Sequence, residues 1–327
     1  MSTRSADTRA PACAVLVVGE SLVEIVEAEG EPPREHVGGS PANVALGLGR
    51  LGVPVRLHTA LARDAHGEMI RRHLAASGVN IDDASWNLPQ TSTARARIAP
   101  DGAAAYDFDV RWELPTPPRW RGERIIHVGS IAVFLDPGAG QVAHFLTSDG
   151  ARARVTLDPN IRPALIGEHR DALTTFEEIA TRAAIVKLSD EDARWLYPGH
   201  DSDAIAQRLT GLGAEAVIFT LGADGAIGYA GQSRLEIPAP RVPVRDTVGA
   251  GDTFMAALVR GLASLRPGDS ITDEPTLHRL LTRAVAAASI TVQRSGADLP
   301  TLSEVVAAER REALIRTNRH SIGHAIF

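Results

Sequence analysis

Lysine, cysteine and long apolar runs are what this chain has least of. Its 327 residues include one cysteine, Cys13, within an apolar run. A lone cysteine forms no intramolecular disulfide, which fits a reducing compartment and a small buried hydrophobe. Lys187 is the only lysine among 34 basic residues, and it sits in Val-Lys-Leu-Ser. A Walker A loop needs a lysine directly after its glycines, so a P-loop is excluded. A protein-kinase glycine-rich loop followed by a strand lysine is excluded with it. Aromatics make up 4% of the chain, and 34 basic against 40 acidic residues leave a net charge of −6. A nucleic-acid groove needs a positive stripe, often with stacking rings. No nucleic-acid partner is expected. No apolar run approaches the ~18 residues of a membrane span, so no membrane partner is expected either. Residues 1–11 are polar and lack the hydrophobic segment of a signal peptide. They are expected to be a disordered tail and residues 316–327 a C-terminal tail, and the cytoplasm is the expected location.

What the chain does have is alternation. Ala14–Val18, Val55–Thr59, Arg124–Val128, Arg154–Leu157, Ala184–Leu188 and Ala216–Thr220 read as strands, several of them continuously apolar. Such runs suit strands buried on both faces of a parallel sheet. Between them, Pro41–Leu51, Gly67–Ser77, Ala139–Ser148, Glu168–Thr181, Asp190–Leu196 and Asp203–Leu212 carry helical patterns. Gly251–Leu265, Thr276–Gln293 and Leu302–Ile315 close the chain as three helices. Repeated strand–helix–strand units predict an α/β fold with a doubly wound, mostly parallel sheet, here over residues 12–315. Two stretches break the rhythm, residues 21–37 and 91–110. The second reads as a hairpin of Thr93–Ala99 and Ala103–Val110 around Pro100-Asp101-Gly102. These segments are expected to pair into a small discontinuous β-sheet lid over an active site.

The most informative segment is Asp246-Thr-Val-Gly-Ala-Gly-Asp252. Gly249, Ala250 and Gly251 form a small turn before a helical pattern with Phe254, Ala257, Leu258 and Leu262 on one face. A helix N-terminus offers unpaired N–H groups and a positive dipole end to a phosphate, and glycines let backbone approach it closely. Asp252, in the first turn, is placed to take a proton from a hydroxyl. An acidic residue there also stabilises its own helix, but a phosphate cradle beside a carboxylate is what phosphoryl transfer to an alcohol needs. Near the N-terminus, Gly38-Gly39-Ser40-Pro41-Ala42-Asn43 puts paired glycines before a Pro-initiated helix. Asn43 can donate to and accept from sugar hydroxyls.

These two segments resemble the C-terminal and N-terminal signatures of the ribokinase-like, or PfkB, carbohydrate kinases. The resemblance runs from Ala14 to Leu302 with its motifs in order. It implies a ribokinase-like fold and an ATP-dependent sugar kinase in which Asp252 is the catalytic base and the Gly249–Gly251 amides form the anion hole. Gly38, Gly39 and Asn43 are then expected to face the sugar, with Glu20 and Glu24 gripping its hydroxyls. Asn160 and Arg162, in Asp-Pro-Asn-Ile-Arg, are expected near substrate and transferred phosphate. Lys187, Ser189, Thr220, Gly222 and Gly225 are expected on the ATP side, with Asp192 acting through water on Mg2+. Asp246 is expected at a monovalent-cation site for K+. The loops look most like bacterial fructokinases, although Glu24 stands where those enzymes usually carry Asp. 2-Keto-3-deoxygluconate kinase and 5-dehydro-2-deoxygluconate kinase are the alternatives, followed by a nucleoside kinase and a catalytically silent sugar or nucleotide sensor. A homodimer through the lid is expected. One pattern is a decoy: Gly47-Leu-Gly49-Arg-Leu-Gly52 matches a dinucleotide fingerprint, but it ends a helix instead of opening one, so Gly52 reads as a C-terminal cap. The eleven histidines show no metal-binding spacing, and His66 and His127 read as surface or packing residues.

Overall fold

The computed structural model describes residues 14–98, 104–266 and 268–310. Cys13, both tails, the Pro100-Asp101-Gly102 turn and the last part of the Leu302–Ile315 helix lie outside the described residues. Thirteen strands are described, in two sheets. Nine form the main sheet in the order β13-β12-β11-β10-β9-β8-β1-β4-β5. Its core strands are β1 (Val15–Val18), β4 (Val55–His58), β8 (Ile125–Gly129), β9 (Arg154–Asp158), β10 (Ala183–Ser189) and β11 (Ala216–Thr220), all paired in parallel. β5 (Asn80–Ile81) extends one edge in parallel. The hairpin of β12 (Ala226–Ala230) and β13 (Ser233–Ile237) closes the other edge antiparallel.

Four consecutive buried residues in β1 show why the sheet needs helices on both faces. Val15 and Val17 belong to one core and Leu16 and Val18 to another. Alternate side chains of a strand point to opposite faces, so each face requires its own cover. On one face lie α1 (Ser40–Arg50), α2 (Ala65–Ala75), α7 (Ala250–Ala263) and α8 (Glu274–Thr291). On the other lie α3 (Gly138–Thr147), α4 (His169–Ala180), α5 (Asp190–Leu196) and α6 (Ser202–Gly211). A last helix covers 302–310. The doubly wound reading holds, and predicted and observed boundaries agree to within two residues for the helices from α1 to α8. The strands β5, β12 and β13 were not anticipated.

The irregular stretches do pair. β2 (Leu22–Ala28), β3 (Arg34–Gly38), β6 (Thr93–Ile98) and β7 (Ala104–Asp109) make a separate sheet in the order β3-β2-β6-β7. β2 joins β6 in parallel, with Val23 opposite Thr93, although about 70 positions separate them. Only tertiary structure can bring such partners together.

The dinucleotide-like glycines each have a packing reason. A Cβ at Gly47 would meet Ala256 Cβ of α7 at 2.7 Å, and one at Gly49 would meet the Ser77 carbonyl oxygen at 2.1 Å. Gly52 adopts φ 76° just past the C-cap Leu51, and its N–H donates to the Gly49 carbonyl. This is the left-handed exit a helix favours. Gly47 brings α1 and α7 close together, and their N-termini meet at the site described next.

Candidate active site

The parallel strands end together, and their C-terminal ends frame a cleft of about 1100 Å3. In open α/β sheets this is where ligands bind. Asp158 ends β9, Ser189 ends β10 and Thr220 ends β11. Two helices point their N-termini into the cleft. α1 begins after Gly39, whose φ of 99° and absent side chain are required because a Cβ would meet the Glu20 carbonyl oxygen at 2.7 Å. α7 begins after Gly249, at φ 77°, where a Cβ would sit 2.9 Å from Ala297 Cα. Both positions need glycine.

The helix starts converge on Asp252. Ser40 Oγ donates to Asp252 Oδ1 at 2.6 Å, and Asn43 Nδ2 donates to Oδ2 at 2.8 Å. Burial pushes the Asp252 carboxyl above the ordinary aspartate range. The bonds from Ser40 and Asn43 pull it back down, as do the charges of Lys187 and Arg162. Beside the carboxylate is an anion cradle. Ala250 N donates to the Thr247 carbonyl and Thr253 N to that of Gly249, whereas the amides of Gly251 and Asp252 find no acceptor among the described residues. Orphan N–H groups at a helix start are where an oxyanion binds.

Lys187 faces the same point from below. A Cβ on Gly251 would lie 3.4 Å from its Nζ. The side chain is 3% exposed and its ammonium donates to both oxygens of Asp158, at 3.0 and 3.2 Å. Burial opposes its charge, but Asp158, Asp192 and Asp252 more than offset that, and its pKa is raised. Lys187 is therefore a fixed positive charge in the cleft floor, committed to Asp158. Asp158 sits in a segment singled out from the sequence but carried no assigned role there. Burial, helped by the same charge, drives His127 down to about 3. His127 is neutral and packs against Thr156, as a core histidine. His66 lies 3.5 Å from Glu35 at the surface.

The remaining candidates divide. Glu24 of β2, Gly39, Asn160, Arg162, Ser189, Thr220, Gly222 and Gly225 all line the cleft. The Glu24 side chain is exposed at the mouth, yet surrounding protein raises its carboxyl above the usual value, against the charges of His36 and Arg162. Gly38 does not line the cleft. A Cβ there would come within 2.7 Å of Glu24 Oε1, so its role is to leave room for that carboxylate. Glu20 also departs from expectation. It is 4% exposed, its Oε2 accepts from Ala132 N at 3.3 Å, and burial raises it to about 7. It braces the segment after β8, within reach of the charge of Asp252. Asn160 holds φ 39°, a conformation that asparagine tolerates better than most residues. Asp192 supports the Asn160–Arg162 segment, because its Oδ1 accepts from Ile161 N at 2.7 Å and its Oδ2 from Ser189 N at 3.0 Å. Asp246 similarly ties two loops, accepting from Val248 N and Gly296 N.

On the far side the cleft is lined by Ala223, Ala239, Pro240, Val242, Val285, Ala288 and Val292. None of these was singled out from the sequence. They give the cleft an apolar share of its lining, alongside Arg241 and Ser289.

The profile of the pfkB family carbohydrate kinases matches residues 14–304. The chain belongs to this family. It is therefore an enzyme that moves a phosphoryl group from ATP to a sugar. Curated relatives are fructokinases: that of Rhizobium leguminosarum bv. trifolii is 33% identical over 268 residues, covering 79% of this chain and 81% of the relative. The Escherichia coli fructokinase is 29% identical over 298 residues, covering 86% of this chain and 94% of the relative. Among solved structures, the Xylella fastidiosa fructokinase with bound ATP superposes with a TM-score of 0.80. It is 24% identical and covers 92% of this chain and 99% of its own.

If Asp252 acts as the base it must be ionised, so activity would be present above its pKa and lost as pH falls through it. Ser40→Ala removes a donor that favours the ionised form. The acid limb of the kcat/KM–pH profile should move to higher pH, by about 1–2 units at most, given ~1.5–3 kcal/mol for a bond to a charged group and 1.36 kcal/mol per unit. A variant with a lowered Tm and an unmoved acid limb would reduce Ser40 to a packing residue.

Proposed function

We infer that the protein is a fructokinase, and that Asp252 is the base of its phosphoryl transfer. The observation that carries the mechanism is the placement of an ionisable, partly shielded carboxylate beside the orphan amides of Gly251 and Asp252 and the buried charge of Lys187. The sugar lies between Asp252, Asn43, Glu24, Asn160 and Arg162. Its hydroxyl oxygen attacks the γ-phosphorus, the bond from that phosphorus to the ADP oxygen breaks, and the hydroxyl proton passes to Asp252. The amides and Lys187 meet the negative charge that moves onto the leaving phosphate, which is the largest lever available to such a site. A pKa raised above that of free aspartate makes Asp252 a better base near neutral pH.

Magnesium fits this cleft as an ion carried on the nucleotide. Among the described residues no group of three His, Cys, Asp or Glu is placed to hold a metal, and Mg2+ is commonly bound through phosphates and water with one or two carboxylates. Asp192 would hold it through water, since each of its oxygens has spent one acceptor position on a backbone amide. Mg2+ supplies neutralisation of the phosphate charge. For K+, the loop tied down by Asp246 is the proposed site. Among the described residues no helix is long and apolar enough to cross a membrane, and the cytoplasm is the proposed location.

Fructose is favoured by the curated relatives, and Glu24 is the residue that tests it. With MgATP in K+ buffer, fructose should show the highest kcat/KM in a panel with ribose, 2-keto-3-deoxygluconate, 5-dehydro-2-deoxygluconate and adenosine, and exchange of K+ for Na+ should slow it. Glu24→Asp should change the ratios of kcat/KM among sugars while ATP affinity stays put, because discrimination resides in differential transition-state binding. A keto-acid sugar outrunning fructose would reassign the substrate. A protein that binds ATP and sugar yet releases no ADP with any sugar would be the silent sensor instead.

The lid also presents a surface suited to a second copy. Tyr106 and Phe108 of the edge strand β7 are 66% and 36% exposed and stack at 6.0 Å. Exposed edges and aromatics of this kind are places where chains join. Sedimentation equilibrium should show a dimer that Tyr106→Lys with Phe108→Lys dissociates. A wild-type monomer at tens of micromolar would refute the lid interface.

A further inference from the structure

We propose that the far end of α7 carries a second ligand site, a pocket for the phosphate group of a small phosphorylated molecule. It is a cavity of about 400 Å3 between the last turn of α7, the loop after it and the middle of α8. Three arginines line it, Arg266, Arg279 and Arg283, with Asp269 as the one acidic residue in its wall. Its size suits a phosphate ester. Asp269 makes no ion pair with these arginines among the described residues; its Oδ2 accepts from the backbone N–H of Arg266. Arg283 pairs with Glu309. Arg266 and Arg279 have no carboxylate partner among the described residues. The only side-chain contact of Arg279 there is a long one, 3.5 Å, to Thr276 Oγ1.

The obvious alternative is that these cations offset the carbonyl end of α7. That task is already done by another residue. Arg124 donates from Nη1 to the Ala263 carbonyl at 2.7 Å and from Nη2 to the Leu265 carbonyl at 3.2 Å, and Ser264 N caps the carbonyls of Arg260 and Gly261. Arg266 and Arg279 remain as surplus charge. Arg283 sits beside Arg260, whose own pKa is lowered by burial and by the charge of Arg283, against the opposing charge of Glu309. Like charges held this close repel one another, and an anion would relieve the repulsion. The concentration is local, since the chain as a whole carries a net charge of −6. Guanidinium forks suit phosphate oxygens better than ammonium groups do.

This pocket is separate from the catalytic cradle. α7 runs for 14 residues between them, about 21 Å at 1.5 Å per residue. An occupant at one end cannot touch a substrate at the other.

Calorimetric titration of the full chain tests the site, with the catalytic cleft filled by a non-hydrolysable ATP analogue. Inorganic phosphate, pyrophosphate and ribose 5-phosphate are added at constant ionic strength in chloride. One equivalent of at least one of these anions should bind saturably, and Arg266→Gln with Arg279→Gln should weaken it at least tenfold. That variant should keep the Tm and kcat of the wild type; if it fails to fold, Arg279→Gln alone should still weaken binding severalfold. Tighter binding of the ester than of free phosphate would identify a metabolite as the occupant, and the reverse would identify phosphate itself. No saturable binding by the wild type, or equal binding by the variants, would overturn the proposal.

Discussion

Everything in the catalytic cleft depends on one carboxylate being held by a helix from the other end of the chain. Ser40 and Asn43 reach Asp252 across 212 and 209 positions. Those two bonds fix the angle at which the starts of α1 and α7 meet, and Gly47 lets the helices lie close enough for them to form. Removing a carboxylate from water is costly, and here it is offset by donors on both oxygens and by positive charge nearby. The result is a group that stays ionisable yet is less acidic than free aspartate. The anion cradle follows from the same helix start, because the glycine turn that aims α7 at the cleft also leaves its first amides unpaired.

Around that centre the charges are layered. Lys187 and Asp158 form a buried pair under the cradle, Asp192 fastens the Asn160–Arg162 segment to the start of α5, and Glu24 and Arg162 face each other at the mouth. Most of these groups are held by backbone amides or by one another, so the cleft is organised without a substrate in it. Preorganisation of this kind reduces the reorganisation that a reaction would otherwise require. Glu24 differs in being mounted on the lid sheet. Were Glu24 to grip the sugar as proposed, binding would be linked to the position of this sheet, and its closure would exclude the water that competes for the phosphoryl group.

The order of strands and helices was legible because buried parallel strands are continuous apolar runs and their covering helices are amphipathic. The glycine–aspartate loop was legible because its spacing serves one chemistry. The hairpin of β12 and β13 was not, since Gly228 interrupts the strand pattern. That glycine is explained only by packing, where a Cβ would meet Leu281 Cδ1 at 2.5 Å. Ser40 stood inside a quoted motif, but nothing local announces a bond to a residue 212 positions away. The contact that Glu20 makes was hidden for a related reason. Its type and position after β1 suggest a ligand, and only the fold shows its carboxylate turned toward the Ala132 amide. The apolar lining of the cleft was invisible because its residues come from separate segments with no common pattern.

The central claim is that Asp252 takes the hydroxyl proton, and Asp252→Asn tests it most directly. Asparagine keeps the size of the side chain and can still accept from Ser40, though its amide group would face that of Asn43. Tm and ATP affinity should therefore change little, while sugar-dependent kcat falls about 10²–10⁴-fold, or roughly 3–5 kcal/mol of transition-state stabilisation. A folded Asp252→Asn enzyme keeping more than about a tenth of wild-type kcat would contradict the assignment.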